Sequence, residues 1–285
     1  MGLLERIPGA RSTPVRLAIA VNARASEDSL GVLAGNLTYT AFLSLFPLLL
    51  LGLSVLGFVL AGDPALRADW TSRLTGTIPG LSGLVGRNIE AIVDGRVGTG
   101  IIGLAGAAWS ASALTGSAEH ALSTVFRTPR AGLIRRRLRA LLLMLGLGVL
   151  AAGSTLLTGL ATSWSGGGGL GGAVRALGAI AGISLDLGTF LVAYRALTPR
   201  GGPPMRAHVP GAVLMSATWT ALKLAGGWYG LRVVARATAL YGTVGAVFGL
   251  LAILSIAVRS FLYGAELSAV LADRKRELSP AHTPG

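Results

Sequence analysis

The 285 residues are 52% hydrophobic and 13% charged, where a soluble domain carries roughly a quarter charged residues. Cysteine is absent, which excludes a disulfide framework, a thiolate nucleophile and a Cys-based zinc site. His120, His208 and His282 stand too far apart for a histidine metal spacing, so no metal or other cofactor is expected. The composition predicts an all-α, polytopic membrane bundle.

In chain order, the arm 1–35 carries Arg6, Arg11, Arg16 and Arg24 but no uninterrupted apolar core, unlike a cleavable signal peptide. Within it, residues 13–33 predict a helix lying at the membrane interface. A spanning helix needs about 20 mostly apolar residues. Six stretches qualify, at 36–61, 99–124, 139–163, 173–196, 209–234 and 241–271, and they form a membrane domain over 36–272. Between the first two, Leu81, Leu84, Val85, Ile89 and Ile92 follow Pro79 at helical spacing, which predicts a short external helix. A tail, 273–285, ends the chain.

The net charge of +13 invites a nucleic-acid reading, but the basic residues sit where topology needs them. Four lie in the arm. The 125–139 loop holds Arg127, Arg130, Arg135, Arg136, Arg137 and Arg139, a set suited to anionic lipid head groups. The 195–208 connection holds Arg195, Arg200 and Arg206, and the tail Arg274, Lys275 and Arg276. With six spans all four clusters fall on one side, and the positive-inside rule places both termini in the cytoplasm of a multi-pass protein. Membrane lipids are the expected partners, and nucleic acid is not.

Polar groups recur inside the spans. On a helical wheel Asn36, Thr40 and Pro47 share an edge of the first span, with Tyr39 and Ser44 beside them. Pro47 has no N–H, so the Leu43 carbonyl loses its usual donor and needs protein or water instead. In the second span Ser112, Thr115, Glu119 and Ser123 share a face, with His120 a step around. The fourth aligns Gly182, Asp186 and Phe190. The fifth aligns Ser216, Trp219 and Lys223, and the sixth aligns Ser255, Arg259, Tyr263 and Glu266. The third has no charge near its middle. A charge at the bilayer centre costs about 2.5–3.5 kcal/mol on insertion scales, so these groups are expected to face one another or water. Asn36, Tyr39, Thr40, Pro47, Glu119, Asp186, Lys223, Arg259, Tyr263 and Glu266 are the candidate pathway residues. For any one of them, a structural ion pair or a snorkelling side chain is the competing explanation.

Enzyme signatures are missing. The run GGGGLGG at 166–172 lacks the Gly-Lys-Ser/Thr of a phosphate loop, and no GxSxG or HExxH occurs. No catalytic residue is assigned and no enzyme activity is expected.

Three stretches resemble the YihY/BrkB family. They are NLTYTAFLSLFPLLLLGLSVLG (36–57), WSASALTGSAEHAL (109–122) and YGTVGAVFGLLAILSIAVRSFLYGAEL (241–267). The likeness runs from about residue 15 to 276 and is most specific at Tyr241-Gly242 and Gly264-Ala265-Glu266. It implies a bacterial inner-membrane protein of about six helices. Members carry the labels virulence factor and, historically, ribonuclease BN, and suggested roles include envelope lipid transport and cation/proton exchange. Glu119 and Glu266 are the charged positions that the resemblance carries over. Ser123 stands where members often have Asn, and Arg259 where an apolar residue is expected, so an Arg259–Glu266 ladder would be particular to this chain.

The favoured function is therefore a transporter of an envelope lipid or other amphiphile, with ion or proton coupling as an added feature. A cation/proton antiporter using Asp186, Glu119 or Glu266 is the alternative in the same class, and a non-transporting envelope scaffold the alternative outside it. Ribonuclease activity lacks the metal-binding carboxylates or paired histidines that it needs.

Overall fold

A computed structural model describes residues 13–62, 94–129, 146, 150, 153–154, 169–199, 202–229 and 242–278. Among these the chain is all helical, without a strand. The elements are α1 (Thr13–Glu27), α2 (Leu30–Gly62), α3 (Arg96–Val125), α4 (Gly169–Leu197), a 3₁₀ turn (Met205–His208), α5 (Val209–Tyr229) and α6 (Gly242–Leu278). Among the described residues four helical stretches have the length and apolar content to cross a membrane: Leu30–Gly62, Arg96–Val125, Ala176–Leu197 and Val247–Arg274. They coincide with the first, second, fourth and sixth predicted spans. The fifth, α5, is helical but falls outside that set, because Ser216, Thr218, Thr220 and Lys223 dilute its apolar content. Most of the third predicted span, the external helix and Arg130 to Arg139 lie outside the described residues.

The helix predicted over 13–33 is two pieces. Ser29 adopts φ 52°, in the left-handed region, which ends α1, and its carbonyl then accepts from Val32 N–H at 2.9 Å to start α2. The first spanning helix therefore begins six residues before the predicted Asn36.

The chain divides into two compact units. The first comprises Met1–Tyr39 with Thr115–Gly285. Its core is Leu122 and Val125 of α3, Tyr194 of α4, Ala212 of α5, and Ala265 and Ala269 of α6. On α6, Val258, Leu262, Ala265 and Ala269 repeat at helical spacing and are buried, while Phe248, Ile253 and Ile256 face outward. Small residues let backbones meet. Gly211 of α5 abuts the Gly264 carbonyl, and Gly211 N–H donates to Ser268 Oγ at 3.0 Å.

The second unit, Thr40–Leu114, is an antiparallel seam between α2 and α3. A Cβ at Gly106 would stand 3.0 Å from Pro47 Cβ, and one at Gly103 would stand 2.7 Å from the Leu51 nitrogen. Ser54 Oγ donates to the Arg96 carbonyl at 2.6 Å, and Ser44 Oγ to the Thr40 carbonyl at 2.8 Å. Pro47 lies within a continuous helix, and its ring packs against the backbone that Gly106 leaves bare.

Candidate functional site

The first unit gives partners to three of the charges that stand in apolar runs, Asp186, Lys223 and Glu266, in two places. Asp186 projects from α4 and is 1% exposed. Lys223, from α5, donates to Asp186 Oδ2 at 2.7 Å and to Ser154 Oγ at 3.1 Å. Ser154 is fully buried and stands 2.5 Å from Asp186 Oδ1 and 3.1 Å from the Gly182 carbonyl. A serine hydroxyl has one proton to give. The carboxylate, being ionised, is the stronger acceptor. Ser154 thus accepts from the ammonium and donates to the carboxylate, closing a ring of three polar groups from three segments. Asp186 and Lys223 were visible as mid-span charges. Ser154 was missed, because a lone serine beside Gly153 in an apolar run carries no signal of its own.

The second place joins α1 to α6. Glu266 is fully buried. Its Oε2 lies 3.3 Å from Arg24 Nε. Arg24 also holds Asp273 Oδ2 at 2.6 Å and donates to the Val125 carbonyl at 2.9 Å. Asp28, in the bend between α1 and α2, and Arg127 act electrostatically on Glu266. Arg127 has φ 51°. It closes α3 through bonds from Thr128 N–H to Ser123 O, 3.0 Å, and from its own N–H to Thr124 O, 3.2 Å, the double bond of a Schellman cap.

Arg259 is exposed, and Glu266 meets Arg24 instead of the residue seven positions earlier on its own helix. Tyr263 is half-buried, and its hydroxyl stands 3.4 Å from Asn22 Oδ1. Glu119 is buried on α3, while Asn36 and Tyr39 are exposed on α2. Thr40 and Pro47 belong to the α2–α3 seam described above.

An aromatic box surrounds His208, in the 3₁₀ turn between α4 and α5. The imidazole is fully buried, edge-on to Phe126 at 5.0 Å and stacked on Tyr194 at 6.2 Å. Tyr194 stacks in turn on Phe261 at 4.5 Å and donates its hydroxyl to the Phe261 carbonyl at 2.6 Å. Burial, and after it the charge of Arg195, hold His208 below its ordinary 6.5, against a smaller upward pull from the Pro203 backbone. No group of three or more metal-ligating side chains occurs among the described residues.

Among known families, residues 21–284 match the model described as Virulence factor BrkB. No curated protein and no solved structure matches the chain.

Proposed function

The chain belongs to the Virulence factor BrkB family, and from that premise we propose that it is a transporter moving an envelope lipid or another amphiphile across the bacterial inner membrane. Family membership and the apolar helices make it an integral membrane protein. The observation that carries the transport reading is the buried Lys223–Asp186–Ser154 ring. Charges within membrane helices are costly and mark substrate or ion pathways by default. A cation already held by a carboxylate can exchange that partner for an anionic head group without being exposed to lipid alone. The cytoplasmic arginine belt would gather such lipids at the membrane face.

The test is reconstitution in anionic vesicles, following a fluorescent anionic lipid and the internal pH together. Lipid movement that falls at least tenfold in the Asp186→Asn/Lys223→Met double variant supports the reading. A folded wild-type protein that moves no lipid sinks it. The fully buried Glu266, facing Arg24, favours a second reading, proton or cation exchange, and internal pH that responds without lipid movement would select it. Neither response leaves the scaffold.

A further inference from the structure

Hard monovalent and divalent cations are held by convergent oxygens: carboxylates, hydroxyls and backbone carbonyls. The ring around Lys223 Nζ is built from the same parts. Asp186 Oδ2 stands at 2.7 Å and Ser154 Oγ at 3.1 Å from the nitrogen. The Gly182 carbonyl lies 3.1 Å from Ser154 Oγ. Asp186 and Ser154 are fully buried or nearly so, at 1% and 0% exposure. One negative charge faces one positive charge, so the seat is neutral only while it is filled. Lysine reaches it from a neighbouring helix by a flexible four-carbon stem that carries a point charge.

We infer that Asp186 and Ser154, the latter beside the Gly182 carbonyl, form a monovalent-cation seat that the chain fills with its own ammonium group. The tethered Lys223 takes the place of sodium or potassium. It follows that the wild-type protein needs neither ion, and that shortening Lys223 opens a site for one. Resting on the transport reading, the inference adds that wild-type transport does not depend on a sodium or potassium gradient. Its test needs no transport, so the two can fail separately.

The experiment is thermal unfolding of the purified full chain in detergent, in sodium, potassium or choline chloride at matched ionic strength. Wild type is expected to unfold at one temperature in all three. Lys223→Ala is expected to unfold lower in choline and to recover by roughly 5 °C in saturating sodium or potassium. Adding Asp186→Asn removes that recovery. Lys223→Met, which keeps an apolar stem over the seat, shows none. The same unfolding temperature for Lys223→Ala in all three salts overturns the inference, as does a recovery that survives Asp186→Asn. Should Lys223→Ala be lost during purification in choline, its rescue in sodium or potassium supports the inference, and loss in every salt overturns it.

Discussion

His208 is the titratable residue whose environment makes the most direct statement about stability. The fold holds it neutral by burial. Below its ordinary 6.5 the unfolded chain binds a proton that the folded chain refuses, so stability rises with pH there and is complete above it. Thermal unfolding in detergent is therefore expected to shift downward as pH falls from about 7 to 5. A His208→Phe variant should flatten that slope, since phenylalanine fits an aromatic box and has nothing to protonate. The Asp186–Lys223 pair supplies a second residue-scale prediction. Breaking a buried pair leaves a charge behind, at a cost of roughly 3–5 kcal/mol, whereas removing both partners costs less than the sum. A double-mutant cycle with Asp186→Leu and Lys223→Met, read by unfolding, should show that positive coupling, and additive effects would mean the ion pair is unimportant to stability. Both residues were legible as pathway candidates because charges in apolar runs stand out. The partner of Glu266 was not. Arg24 read as one of four basic residues fixing topology, and only tertiary packing brings it against a carboxylate 242 positions away.

Helices here are joined by what their glycines leave out. A Cβ at Gly264 would stand 2.5 Å from Tyr194 Oη and 2.8 Å from the Gly211 carbonyl. Neither the hydroxyl, tied to Phe261, nor the backbone can give way cheaply. Gly264→Ala is expected to destabilise by about 1–3 kcal/mol, measured by thermal unfolding, while Gly249→Ala on the same helix, with open space around it, should be close to neutral or better. Gly264-Ala265-Glu266, which with Tyr241-Gly242 carries the most specific part of the family likeness, has a packing role at each position. Gly264 admits the α5 backbone, Ala265 fills the core, and Glu266 receives Arg24. Sequence showed the helices readily through their apolar length, but not the α1–α2 break. Serine has no strong signal for a left-handed turn, and the pattern runs through it.

At the scale of the whole molecule, six spans with both termini in the cytoplasm can be tested directly, because a chain without cysteine gives clean single-cysteine reporters. Ser26→Cys and Thr283→Cys are expected to react with an impermeant maleimide only after cells are opened, and Asp94→Cys in intact spheroplasts. Labelling of Ser26→Cys from outside would reverse the orientation. Positive-inside counting yields that expectation from residue order alone, whereas which helices meet depended on contacts distant in sequence. Arg24 illustrates the distance. Its guanidinium binds the Val125 carbonyl, Glu266 and Asp273, the last 249 positions downstream. Ribosomes make Arg24 long before Asp273, so α1 has no seat on α6 until α6 itself has been made. Docking of α1 thus reports that α6 is in place. A truncated product leaves α1 undocked and its backbone open to proteases that clear incomplete membrane proteins.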